Sequence, residues 1–80
     1  MARKNEGLRK EQFAILRFPK YKREVKVWQY YSIFDFCRSA GCSREKSDEL
    51  ARWCRDRRTT GDEITEGELT IRIVEKEVSV

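Results

Sequence analysis

Apolar positions near the start of the chain follow strand-like patterns. Residues 13–18 form a short apolar run that ends at Pro19, and residues 25–28 alternate apolar and polar side chains with a period of two. Residues 19–24 between them are polar and few enough for the connection of a hairpin. The pattern therefore predicts a β-hairpin with strands at 13–18 and 25–28.

Helical spacing begins after this hairpin. A first apolar face recurs at i, i+3, i+4 and i+7, and its members are Tyr30, Ile33, Phe34 and Cys37. Ser32 lies three residues before Asp35, as in a capping box, which predicts that the helix starts near Ser32. Gly41 is suited to the left-handed conformation that ends many helices.

A second helix is predicted almost at once. Ser43 is a favourable N-cap residue, and Glu45 in the first turn suits the positive end of the helix dipole. The apolar face of this helix comprises Ser47, Leu50, Ala51 and Cys54. Because so short a link joins the two helices, we expect them to pack against each other, and we expect a turn at 59–62.

The last segment carries conflicting signals. Thr65 and Glu68 have the spacing of a capping box, and Ile64 and Leu69 occupy the two positions of a hydrophobic staple. Alternating apolar residues favour a strand instead, namely Leu69, Ile71 and Ile73. Two terminus signals at fixed spacing are the more specific, so we predict a helix from about residue 66. The predicted fold class is α+β: an N-terminal β-hairpin packed on about three helices, with a strand as the alternative for the last segment.

Length and composition limit the classes of function. Eighty residues are enough for one domain, which we predict at 13–80 after a flexible basic arm at 1–12. No apolar stretch resembles a membrane span or a signal peptide, so we expect a cytoplasmic protein without a membrane partner. Three cysteines and no histidine are too few ligands for a zinc site, and histidine is also the commonest general base. We therefore expect neither a metal nor an enzyme.

Basic residues are concentrated at the beginning of the chain. The net charge is only +4, yet residues 1–30 hold nine lysines and arginines and three glutamates. Residues 61–80 are acidic in balance. The first third of the chain should therefore attract phosphate groups, either of a nucleotide or of a nucleic acid.

The predicted order of elements, with these residues, resembles the ATP-cone family, the regulatory domains of ribonucleotide reductases and of the repressor of their genes. The resemblance covers about residues 18–78. Lys20, Tyr21, Lys22 and Arg23 stand where the family has a Lys-Arg-Asp/Asn-Gly turn, and Trp28-Gln29 stands at its Phe-Asp pair. Later matches are Arg38 to Gly41, Ser47 to Cys54, Glu63 to Thr65 with Glu68-Leu69, and Arg72 to Val74.

The resemblance implies a non-catalytic regulatory module that binds ATP or dATP between the hairpin and the helices. Lys20, Lys22 and Arg23 would bind the phosphates, and Tyr21 or Trp28 would stack on the base. The sequence also departs from the family. Arg23 replaces the turn glycine, Tyr21 replaces the arginine, and Ser32 stands where a lysine is common.

Two other functions remain open. The chain is alternatively a nucleic-acid-binding protein that uses the hairpin and the N-terminal arm, whose basic residues are Arg3, Lys4, Arg9 and Lys10. It is alternatively a protein-interaction domain that has kept a degenerate ATP-cone fold without its ligand. Its many aromatic residues would then contact a protein partner or a second copy in a homodimer.

Overall fold

The structure is a computed structural model that describes residues 8–56 and 59–79. Four strands and two helices follow one another in the order β-β-α-α-β-β. Their bounds are β1 Leu8–Phe18, β2 Tyr21–Lys26, α1 Tyr30–Ser39, α2 Arg44–Arg55, β3 Glu63–Glu66 and β4 Leu69–Ser79. The α+β class is confirmed, with one sheet in place of the expected single hairpin.

The strands form one antiparallel sheet in the order β2-β1-β4-β3. β1 and β4 lie at its centre and pair along their length, from Leu8 with Ser79 to Arg17 with Thr70. Each hairpin of the sequence therefore supplies one central and one edge strand. The two hairpins meet only through β1 and β4, whose pairing joins the two ends of the chain.

The core lies between one face of this sheet and the two helices. Its strand residues alternate, as expected for a sheet with one buried face: Ala14, Leu16, Val25, Leu69, Ile71 and Ile73. Its helix residues are Ile33, Cys37, Leu50, Ala51, Cys54 and the polar Ser47. The predicted face of the second helix is thus confirmed, whereas in that of the first helix Ile33 and Cys37 are buried and Tyr30 and Phe34 are half-buried against the core. The three cysteines form no disulfide with one another, and Cys37 and Cys54 are buried.

Both helix ends near residue 41 are as the sequence predicts. Gly41 has φ +93°, its N–H bonds to the carbonyl of Arg38, and the Cys42 N–H bonds to the carbonyl of Cys37. These two bonds are those of a Schellman ending. Ser43 then caps α2, because its hydroxyl accepts a hydrogen bond of 3.0 Å from the Lys46 N–H.

The predicted start of the first helix is wrong by two residues. α1 begins at Tyr30 with Gln29 as N-cap, so Ser32 is inside the first turn and caps nothing. Gln29 acts differently from a usual cap. Its side-chain Oε1 accepts a hydrogen bond of 2.8 Å from the Lys26 N–H and so fixes the turn between β2 and α1.

The predicted third helix is wrong, because residues 69–79 form β4. The alternating set Leu69, Ile71 and Ile73 is fully buried against the helices, which outweighs the local capping signal. Thr65 lies in β3 instead, and Glu68 is the second residue of a two-residue hairpin turn. Gly67 at the first turn position has φ +62°, as a type II′ turn requires, and Leu69 pairs with Glu66 across it.

The first hairpin is also longer than predicted. β2 begins at Tyr21 and pairs with Phe18, so the turn consists of Pro19 and Lys20 alone. Residues 8–12, which were expected in a flexible arm, are the first part of β1. Arg3 and Lys4 lie outside the described residues.

Within the described ranges, neither helix is long and apolar enough to cross a membrane. Over the same ranges, acidic and cysteine side chains form no cluster that could hold a metal ion.

Candidate functional site

Strand β2 divides the predicted binding residues between two surfaces. Arg23 pairs with the buried Leu16 and Tyr21 with Phe18, so these two side chains lie on the helix side of the sheet. Lys22 pairs with Arg17 on the opposite side. Since successive side chains of a strand point to opposite faces, Lys20 to Arg23 do not converge as a turn would make them do.

On the helix side, a groove lies between the β1–β2 hairpin and α1. Its volume is about 550 Å³, within the range of small-molecule sites. It is lined by Phe18, Pro19, Tyr21, Lys22 and Arg23 from the hairpin and by Asp35, Phe36, Ser39 and Ala40 from α1 and its end. Tyr21 is 79% exposed there, although it is a large aromatic residue.

On the other side lies the surface that we call the open face, the sheet face turned away from the helices. Its residues follow from the register: Arg9, Glu11, Phe13, Ile15, Arg17, Lys22, Glu24, Lys26, Glu63, Thr65, Thr70, Arg72, Val74, Lys76 and Val78. Six of these are basic and three acidic, whereas the two helices carry five basic and four acidic residues. The open face is thus the more positive of the two sides.

Ion pairs neutralise only one end of the open face. Lys76 binds Glu24 at 2.6 Å, and Glu11 contacts both Lys26 and Arg9. At the hairpin end, three cations form no ion pair with any described residue, namely Arg17, Lys22 and Arg72, although Glu63 lies opposite Arg72 in the register of β3 and β4. A depression of about 310 Å³ lies beside them, lined by Ile15, Arg17, Glu63, Thr70 and Arg72. Uncompensated positive charge is therefore concentrated near the first turn.

Aromatic rings on the open face lie next to cations. Phe13 is half-buried in the middle of β1, and Lys76 Nζ lies 5.5 Å from its ring centroid. Lys26 Nζ lies 5.6 Å from the ring of Trp28, which is 59% exposed just beyond β2. Ile15 and Val74 are the half-buried apolar neighbours of Phe13 on this face. The result is a partly apolar platform bordered by two lysines, each of which forms an ion pair with a glutamate.

The remaining predicted site residues lie apart from the groove. Lys20 is exposed in the turn but does not line the groove, and Trp28 lies near the other end of β2. Arg9 and Lys10 are exposed in β1, on opposite sides of the sheet. Of the predicted nucleotide-binding set, the structure therefore places the side chains of Tyr21 and Arg23 on the groove side, whereas Lys22 borders the groove from the edge strand with its side chain on the open face.

Sequence reasoning missed the residues that α1 adds to the groove and those at the centre of the open face. The sequence pattern places Asp35 in a helix cap and Phe13 and Ile15 in a strand, but it does not indicate on which face of the sheet these two residues lie. The alternation of Leu69, Ile71 and Ile73 was the signal in the sequence that could have revealed this face. If these residues form a strand, Arg72 lies on the face opposite to them, and in the structure it pairs with Ile15.

Contacts between the helices are structural. Tyr30 donates a hydrogen bond to Asp48 Oδ1, which raises the pKa of Tyr30, and Arg52 binds the same carboxylate at 3.2 Å. Burial raises the pKa of Cys37 to about 12, with a smaller effect from Cys42. A thiol with so high a pKa is a poor nucleophile near neutral pH.

Comparison of the chain with family models, with curated proteins and with solved structures gives no match. The resemblance to the ATP-cone family therefore stays a prediction.

Proposed function

We propose that the protein binds single-stranded nucleic acid on the open face of its sheet. The observation that carries this proposal is the cross-strand pair of Arg17 and Lys22, with Arg72 close by on β4. Like charges directly opposite each other on a sheet are destabilising, and these have no described acidic partner. Phosphate groups of a bound strand would remove that repulsion.

The apolar centre of the open face favours a single strand over a duplex. Stacking of bases on exposed aromatic rings requires bases that are not enclosed in a double helix. Phe13 is placed for such stacking, with Ile15 and Val74 around it. Trp28 extends the aromatic surface beyond the edge of the sheet. Both rings have a lysine within about 6 Å, but Lys26 and Lys76 are ion-paired with Glu11 and Glu24. The phosphates of a stacked strand would therefore be bound mainly by Arg17 and Lys22.

Fluorescence anisotropy of labelled single-stranded oligonucleotides tests the proposal. We expect binding that weakens steeply with added salt, because each phosphate contact releases a counterion. Phe13→Leu should weaken binding by about fivefold or more while it keeps apolar bulk, since stacking contributes about 1–3 kcal/mol per base. Arg17→Ser should weaken binding and reduce the salt dependence.

Arg44→Ser is the matched control, because Arg44 is an exposed cation at the start of α2, which packs on the side of the sheet opposite the open face. It removes the same charge and should leave affinity almost unchanged. Equal losses in the Arg17 and Arg44 variants would indicate only general attraction between charges. Binding that does not respond to salt, or no binding at all, would refute the proposal.

Nucleotide binding in the groove is a second candidate function, and the shape of the groove supports it. Arg23 of β2, with Lys22 at the border, lines one concave site together with the exposed Tyr21 and with Phe36. Such a combination suits a ligand with phosphates at one end and an aromatic base at the other. Titration with ATP and dATP, followed by amide NMR shifts of the hairpin and α1, tests it; no shift at millimolar nucleotide would exclude it.

A further inference from the structure

We propose that the groove between the first hairpin and α1 selects guanine over adenine, that is, that its ligand is a guanosine 5′-phosphate group. The inference rests on the second proposed function, nucleotide binding in the groove. It deepens that function by naming the base.

The two walls of the groove carry opposite charges. Arg23 of β2 faces the groove, Lys22 borders it from the edge strand with its side chain on the open face, and the one acidic lining residue, Asp35, comes from α1. The described residues provide no ion pair or hydrogen bond for any of these three side chains. The groove therefore offers positive charge on the hairpin wall and a free carboxylate on the helix wall.

Each wall suits a different part of a nucleotide. Lysine and arginine side chains bind phosphate oxygens, so the phosphates belong on the hairpin wall. The apolar surfaces between the walls, from Phe18, Tyr21 and Phe36, are suited to the faces of a base. A ligand in this orientation directs the edge of its base towards Asp35.

An ionised carboxylate only accepts hydrogen bonds, and this decides between the purines. The Watson–Crick edge of guanine presents two adjacent donors, N1–H and the 2-amino group, which fit the two oxygens of Asp35. The same edge of adenine presents the lone pair of N1 next to the 6-amino group. Adenine would therefore place an acceptor against the carboxylate, and its binding should be weaker.

The substitution Asp35→Asn tests the role of this carboxylate directly. Asn in its place has both a donor and an acceptor, as recognition of adenine requires, and it fits guanine less well. Asp35→Asn should therefore lower the affinity for guanine and raise that for adenine. Glu45→Gln is the matched control, because it removes the same charge from an exposed position on α2, which does not line the groove.

Isothermal titration calorimetry with GTP, ITP and ATP measures the preference. We expect GTP to bind at least about fivefold more tightly than ATP, as a good bidentate contact to a base provides. ITP lacks the 2-amino group and should bind with intermediate affinity. In Asp35→Asn the order of GTP and ATP should reverse, and in Glu45→Gln it should persist. Circular dichroism of each variant confirms that it is folded.

The possible failures are distinguishable. If no nucleotide binds, nucleotide binding in the groove is refuted and the guanine preference with it. If GTP and ATP bind equally well, with or without Asp35, nucleotide binding stands and the guanine inference is refuted. A preference for GTP that survives in Asp35→Asn would equally refute the role of Asp35.

The end of a nucleic-acid strand can also present a guanosine 5′-phosphate group. A second experiment therefore distinguishes a strand end from a free nucleotide. Short oligonucleotides that end in a 5′-phosphorylated guanosine or adenosine are compared with GTP by amide NMR shifts. Shifts at Asp35 and Phe36 that are larger for the guanosine end identify a strand end as the ligand. Shifts there with GTP only identify the free nucleotide. Shifts at the groove that are equal for guanosine and adenosine ends contradict the inference.

Discussion

Arg17 and Lys22 lie directly opposite each other on β1 and β2, and both face away from the helices. Neither has an ion-pair partner among the described residues. Two cations in this position reduce the stability of the hairpin, and the proposed binding of phosphate groups would offset that cost.

Lys22→Glu should therefore make the protein more stable and a weaker binder. A glutamate opposite Arg17 replaces repulsion by attraction, which contributes about 0.2–1 kcal/mol in a cross-strand pair. Urea unfolding should show this gain, while affinity for a single-stranded oligonucleotide should fall. A variant that is less stable and binds as well as the original would contradict both the proposed function and the assigned cause of the repulsion.

Ser47→Ala should also raise stability. The Ser47 hydroxyl is fully buried and has no hydrogen-bond partner among the described residues. Burial of an unpaired hydroxyl costs about 1–3 kcal/mol, whereas alanine is fully apolar and a better helix former. We expect a gain of about 1 kcal/mol in the free energy of unfolding. A loss would mean that the hydroxyl binds a buried water.

Ser43→Ala, four residues earlier, should have the opposite effect. Its hydroxyl caps the Lys46 N–H at the start of α2, and loss of such a cap costs about 1 kcal/mol. Thermal unfolding of the two alanine variants side by side compares the same chemical change with and without a bonding partner. Ser43→Asn should recover most of the loss, because asparagine is an equally good cap.

The buried thiol of Cys37 predicts how stability depends on alkaline pH. Its pKa is about 12 in the folded protein, compared with 9.0 for an ordinary thiol. The unfolded chain therefore loses this proton first, so the contribution of Cys37 is complete below pH 9 and is lost as the pH rises towards 12. The melting temperature should fall over this range.

Thiol reagents check the same assignment near neutral pH. The half-exposed Cys42 should react first, and the buried Cys37 and Cys54 only as the protein unfolds. Three thiols that react at one rate in the folded protein would contradict the burial.

The sequence predicts the parts of this fold whose signals are local. Both helical faces, Gly41 and the Ser43 cap depend on spacing within a few residues, and all are found. The third helix fails because β4 is specified by pairing with β1, more than fifty residues away along the chain. A capping signal at Thr65 carries no information about that pairing.

Only part of the candidate site can be predicted from the sequence, because strand pairing again decides where its residues lie. Residues 21–24 are exposed on both sides of an edge strand, so they lack the alternation that identifies a strand, and they were read as a turn. That error placed Lys20 to Arg23 in one cluster. Their assignment to two surfaces depends on the register with β1, which no local pattern reveals.

The alternation along β2 has a consequence for how this molecule can change. Lys22 and Arg23 are consecutive residues, yet one belongs to the open face and the other to the helix side of the sheet. Substitution of one of these two residues therefore need not alter the surface to which the other side chain belongs. A single dipeptide thus contributes one side chain to each of two surfaces.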